Sequence, residues 1–133
     1  MLEGDFTYEF AVYPFEGKWI NANLQQEALN YNFPIIASSS KRGNGAFGSQ
    51  YQPFELKADN ILLSALYTDG GNPFIRFYES LGSKDALQLK FRPKPARFIE
   101  VDLLGNKQNS GNSPFLFHPW QIKTLMLDIA GNK

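Results

Sequence analysis

The chain has no cysteine, a single histidine and no net charge, with 13 Lys and Arg balancing 13 Asp and Glu over 133 residues. Without cysteine there are no disulfides, no thiolate metal sites and no Cys nucleophile. One histidine, His118, gives little from which to assemble a zinc site or a Ser-His-Asp set, and its place beside Pro119 suits a structural or surface residue. The charge balance lacks the electrostatic footprint of a nucleic-acid binder. It also argues against binding to anionic membrane surfaces. No apolar run is long enough to span a bilayer. No Asn-x-Ser/Thr acceptor occurs. Met1 to Asp5 has neither a basic start nor an apolar stretch, so no signal peptide is expected, and the expected location is cytoplasmic.

Aromatic residues are abundant: twelve Phe, six Tyr and two Trp, alongside eleven Gly and eight Pro. Aromatics favour pleated, half-buried surfaces, and frequent Gly and Pro supply turns, so the chain is expected to be all-β. Phe6-Thr7-Tyr8-Glu9-Phe10-Ala11-Val12-Tyr13 alternates between two faces and predicts a strand ended by Pro14. Asn21 to Asn30 is rich in helix formers and predicts a short helix capped by Asn21 or Asn23. Ile35 to Ser38 reads as extended, and Ser39 to Ser49 as a polar, glycine-rich loop.

Further strands are expected at Phe54–Lys57, Ile61–Tyr67, Phe74–Tyr78, around Leu87, Leu89 and Phe91, at Arg97–Leu104, and around Phe115–Phe117 and Ile122–Ile129. Ile61–Tyr67 is apolar on both faces and is expected centrally, between layers. Asp69-Gly70-Gly71-Asn72 signals a hairpin. Gly105 to Ser113 reads as a polar loop. About eight strands at this spacing predict an antiparallel β-sandwich with one short helical segment, and residues 1–133 are expected to form one domain.

Few residues carry chemistry. Gly43-Asn44-Gly45-Ala46-Phe47-Gly48 has the G-x-G-x-x-G form, but Pro53 follows where a dinucleotide site needs a helix, so a loop is expected. Glu100 and Asp102 lie two apart on one strand, with Cα atoms about 7 Å apart. A glycosidase pair flanks the sugar from opposite sides, so a solvated face, or one meeting Lys or Arg across strands, is the expected role. Arg76 interrupts the apolar run Phe74–Tyr78 and needs a partner: Glu55, Asp59, Glu100 or Asp102, or else an interface. Trp19 and Trp120 are expected to pack, Trp120 as a corner plug; sugar-stacking platforms are the other reading. No catalytic, cofactor-binding or metal-ligating residue is expected in this chain.

Three stretches resemble the C-terminal β-sandwich of glycoside hydrolase family 38, the α-mannosidases. The first is Gly4 to Pro14 with Gly17 and Trp19, where Gly4, Tyr8, Phe10, Ala11, Pro14, Gly17 and Trp19 fit the family pattern and Phe6 and Phe15 replace histidines. The second is Asn60-Ile61-Leu62-Leu63-Ser64-Ala65-Leu66 followed by Arg76-Phe77-Tyr78-Glu79. The third is Val101-Asp102-Leu103-Leu104 followed by Pro119-Trp120-Gln121-Ile122-Lys123-Thr124-Leu125. The resemblance implies a parent enzyme that hydrolyses terminal α-mannosyl groups with retention, using zinc and an aspartate nucleophile in an N-terminal α/β barrel. None of those motifs is in this chain. It would then be a catalytically silent domain whose partner is the catalytic domain of the same polypeptide, meeting carbohydrate through that domain and compatible with an oligomer. The other reading is a free-standing carbohydrate-binding module using Trp19 or Trp120.

Overall fold

The computed structural model describes residues 4–39, 43–45, 48–92, 95 and 97–128. They fall into two compact units, Met1–Ala37 and Ser38–Lys133.

The first unit holds a 3-10 turn, Trp19–Asn21, and one helix, α1, Leu24–Asn32. Leu24 to Leu29 are strong helix formers, and the turn after Asn32 leads to Pro34, which cannot continue a helix. Asn23 stands at the N-cap in the left-handed region (φ 52°), but its side chain makes no capping hydrogen bond. The helix therefore starts within the expected stretch without the expected cap. It ends two residues later than expected, where Asn32 Nδ2 donates to the Ala28 carbonyl (2.8 Å). The expected strand over Phe6–Tyr13 is not formed. That segment has no ladder partner among the described residues. Ile35–Ser38 likewise joins no sheet.

The second unit is the antiparallel β-sandwich. Its strands are β1 (Phe54–Lys57), β2 (Ile61–Asp69), β3 (Asn72–Glu79), β4 (Asp85–Phe91), β5 (Arg97–Val101), β6 (Lys107–Gly111), β7 (Phe115–Phe117) and β8 (Ile122–Asp128). A three-stranded sheet has the order β1-β4-β7, and a five-stranded sheet the order β2-β3-β8-β5-β6. The hairpin at Gly70-Gly71 sets Asp69 opposite Asn72, as the turn residues predict. Leu87, Leu89, Phe115 and Phe117 from the small sheet meet Ile61, Ile75, Phe77, Leu125, Leu127 and Phe98 from the large one in a single core. Each such buried side chain contributes about 1.5–3 kcal/mol of transfer free energy. Phe74, Ile99, Val101 and Met126 form a second buried cluster on the other face of the five-stranded sheet, as strand alternation requires.

Within the sandwich, three more expectations need correction. β2 is an edge strand rather than a central one, because β3 pairs with β8 on its other side. Its far half is exposed accordingly. The strand expected through Leu104 stops at Val101, because Asp102 turns the chain by accepting the backbone N–H groups of Leu104 and Asn106 (both 2.9 Å). The polar stretch after Gly105 is not only loop: Lys107–Gly111 is β6, paired with β5 through Ile99–Ser110 and Phe98–Gly111. The final strand is described to Asp128; Ile129 lies outside the described residues. Among the described residues no helix is long and apolar enough to cross a membrane.

Candidate functional site

Asn60, Glu79 and Trp120 lie far apart in sequence and meet at one carboxylate. Glu79 ends β3 and its residue is 2 % exposed. Its Oε1 accepts from Asn60 Nδ2 (2.7 Å) and from the Leu81 N–H (2.8 Å). Its Oε2 accepts from the Gly82 N–H (2.9 Å) and the Trp120 N–H (2.7 Å). Burial alone would raise the pKa of this carboxyl. Backbone hydrogen bonds from Trp120, Leu81, Ser83 and Gly82 outweigh it and hold the group below the usual carboxylate range. The knot is extended on both sides. Asn60 Nδ2 also donates to Ser83 Oγ (2.7 Å). The Ser80 N–H and hydroxyl both donate to the Asn60 carbonyl (2.9 and 3.0 Å). Asp85 Oδ2 accepts the N–H groups of Asp59 and Asn60 (3.0 and 3.1 Å). A carboxylate offers about four acceptor sites, and here N–H donors occupy them. Glu79 is thus a clamp joining the start of β2, the β3–β4 turn and the β7–β8 corner, with no lone pair left for nucleophilic or proton-transfer work.

The corner itself is held tightly. Trp120 has a positive φ of 61°, a conformation that costs a bulky residue strain and persists only where surroundings enforce it. Here its own N–H is fixed by Glu79, the Gln121 N–H donates to the His118 carbonyl (3.1 Å), and Gln121 Oε1 accepts the His118 N–H (2.9 Å). The indole lies on Gly82, where a Cβ would come within 2.6 Å of Trp120 Cζ2. The ring nonetheless leaves the residue 61 % exposed. The expected corner plug is therefore seated on one side and open on the other. Trp19 lies in the first unit's 3-10 turn and is also partly exposed.

The remaining candidates resolve individually. Glu100 receives Lys123 Nζ on both oxygens (2.8 and 2.9 Å), the cross-strand partner expected of a solvated carboxylate. Asp102 shapes the β5–β6 connection, and its pKa is lowered, first by the side chain of Asn106 and then by that residue's backbone N–H. The two carboxylates therefore engage different partners. Arg76 finds none of the carboxylates proposed for it. Its Nε donates to Thr124 Oγ1 (3.0 Å), Nη2 reaches the Tyr67 hydroxyl (3.5 Å), and the guanidinium sits 5.8 Å from the Tyr67 ring centroid. His118 is exposed, and the described residues contain no group of three or more His, Cys, Asp or Glu able to hold a metal. In the glycine-rich stretch, Gly43–Gly45 is neither helix nor strand, while Ala46 and Phe47 lie outside the described residues.

Among the described residues, two of the open clefts on the sandwich lack catalytic groupings. One, of about 510 Å³, is lined by apolar residues including Phe54, Leu66, Tyr67 and Phe91. Among the described residues that line it, the one charged residue, Arg92, pairs with Glu55 (2.9 Å). The other, of about 440 Å³, has Lys90 and Arg92 but no carboxylate among the described residues that line it.

The clamp at Glu79 escaped sequence reasoning, although its three members stood in the stretches that carry the family resemblance. The available signal was an acidic residue closing a largely apolar strand, a position that needs donors nearby. Residues 60–125 match the glycosyl hydrolases family 38 C-terminal beta sandwich domain. The match opens at Asn60 and takes in Glu79 and Trp120, whereas the Gly4–Trp19 stretch lies outside it. No curated protein and no solved structure matches the chain. The two antiparallel sheets and the Asn60–Glu79–Trp120 clamp lie largely or wholly within the matched span, so the part of the chain that is similar to the glycosyl hydrolases family 38 C-terminal beta sandwich domain is the sandwich itself.

Proposed function

We propose that this chain is the non-catalytic C-terminal portion of a glycosidase that hydrolyses terminal α-mannosyl groups. The match over residues 60–125 carries the reading. It is supported by where the polar side chains are engaged: Glu79, Asp85, Glu100 and Asp102 all hold the fold's own donors. The partner is the catalytic domain of the same polypeptide, which meets the carbohydrate. Zinc in that domain is what the family resemblance implies. The sandwich contributes a rigid layer against which the catalytic domain packs. Incubation with an aryl α-mannoside and zinc tests this. The full-length polypeptide turns the substrate over and residues 1–133 alone do not. Turnover by the short chain would place an active site within it, and inactivity of both would remove the mannosidase reading.

A second reading rests on the open face of Trp120, which could receive the C–H face of a pyranose and make the domain a carbohydrate-binding module. Titrating mannose or mannobiose while following tryptophan fluorescence separates the two. A saturable change that Trp120→Ala abolishes supports the module, and a flat response supports the packing role.

A further inference from the structure

The glycine-rich stretch that does not make a dinucleotide loop has another chemistry. Of the chain's asparagines, Asn44 alone is followed by glycine. Gly43, Asn44 and Gly45 are exposed and lie outside every helix and strand. They fall between Ala37, where the first unit ends, and Phe54, where β1 begins. Among the described residues none hydrogen-bonds to the Asn44 amide or to the Gly45 N–H. A solvent-exposed backbone with few contacts is free to sample conformations. Glycine widens that range and sets no Cβ beside its own nitrogen.

We propose that Asn44 is a site of spontaneous deamidation, with Gly45 supplying the nucleophile. The Gly45 backbone nitrogen gives its proton to hydroxide and attacks Asn44 Cγ. The new C–N bond closes a succinimide ring, the Cγ–Nδ2 bond breaks, and Nδ2 takes a proton from water and leaves as ammonia. Water then opens the ring. Attack at Cγ restores the ordinary peptide and makes aspartate. Attack at the main-chain carbonyl carbon of Asn44 leaves Gly45 joined through Cγ and makes isoaspartate. Nothing is oxidised or reduced; overall, water enters and ammonia leaves. Either product is a carboxylate at neutral pH.

The other asparagines are followed by bulkier residues, and the nearest competitors are held in place. Ser110 follows Asn109 but is paired opposite Ile99 in the β5–β6 ladder. Ser113 follows Asn112, and its Oγ accepts the Leu89 N–H (2.8 Å). Asn106 Nδ2 donates to Asp102 Oδ2 (2.9 Å), and Asn60 is buried with Nδ2 on Glu79 (2.7 Å). Asn72 precedes Pro73, whose nitrogen has no proton to lose. Conversion at Asn44 adds negative charge to a chain whose charges otherwise cancel. In the isoaspartyl form it also inserts a methylene into the main chain ahead of β1. Neither buried cluster of the sandwich draws on these residues, so the fold survives the change.

Peptide mapping by mass spectrometry tests the proposal, after incubation of residues 1–133 at neutral and mildly alkaline pH, both native and in guanidinium chloride. Asn44 loses its amide ahead of every other asparagine, and faster at the higher pH. Its rate is closely similar in the native and unfolded chains, whereas Asn109 speeds up on unfolding. Gly45→Ala slows the loss at Asn44 several-fold or more and leaves the denaturation midpoint unchanged, since a Cβ at this position meets nothing within 4 Å. Three results overturn the proposal: an Asn44 amide that is lost only from the unfolded chain, earlier conversion of Asn109 or Asn112, or equally fast conversion in Gly45→Ala. The readout involves no glycosidase activity, so it stands or falls apart from the mannosidase reading.

Discussion

Replacing Glu79 by alanine strips acceptors from the N–H groups of Leu81, Gly82 and Trp120 and from Asn60 Nδ2 in a single step. Buried donors left unpaired cost about 1–3 kcal/mol each before relaxation, so the expected total is about 3–5 kcal/mol, read as a lower urea midpoint. Acid reaches the same clamp by titration. The folded pKa of Glu79 is depressed below its ordinary 4.5, so the folded state binds this proton less readily than the unfolded chain. The resulting stabilisation is fully present above pH 4.5 and is lost as pH falls through the folded value. Glu79→Gln, followed by urea unfolding between pH 3 and 7, should be less stable at neutrality and flatter across the acid range. Arg76 gives the opposite expectation. With a hydroxyl and an aromatic ring as partners instead of a carboxylate, Arg76→Leu strands no buried anion. It should change stability by less than about 1 kcal/mol in chemical denaturation, far below the cost of breaking a buried ion pair.

At the scale of elements, the β3–β4 turn and the β7–β8 corner are built for each other. Gly82 holds φ +75° and carries the Trp120 indole, so Gly82→Ala meets both a strained backbone and a ring at 2.6 Å. The expected loss is about 2–3 kcal/mol with a shifted Trp emission maximum, since the indole must leave its seat. Much of the sandwich was legible because local pattern and final environment agree: Phe54–Lys57, the Gly70-Gly71 hairpin, the alternation of Leu87 and Leu89, and the two closing strands. The failures share a cause. Alternation at Phe6–Tyr13 states what the segment is able to bury, but not whether a surface is present to bury it. The apolar run Ile61–Tyr67 suggested a centre, yet strand order is decided by which neighbour β3 accepts on its second side. Lys107–Gly111 has no apolar signal at all; its pairing comes from β5 and from the turn that Asp102 organises. The clamp was invisible for a related reason, since its geometry depends on three segments brought together only by the finished fold.

For the whole molecule, the sandwich has its own core drawn from both sheets, and all of that core's residues lie after Ser38. A chain shortened to residues 38–133 should therefore unfold cooperatively at a urea midpoint close to that of residues 1–133. A large drop would mean that the first unit supports the sandwich in isolation. The large sheet ends on one side at β6, whose five residues, Lys107, Gln108, Asn109, Ser110 and Gly111, are all exposed and all hydrophilic or small. A rim of this composition offers an incoming chain a hydrogen-bonding row without any greasy reward, which is how natural β proteins discourage fibril growth from an open side. Copies of the chain therefore gain little by pairing along β6, whereas β2, the opposite rim of the same sheet, leaves Leu66 and Tyr67 exposed and carries more of that hazard.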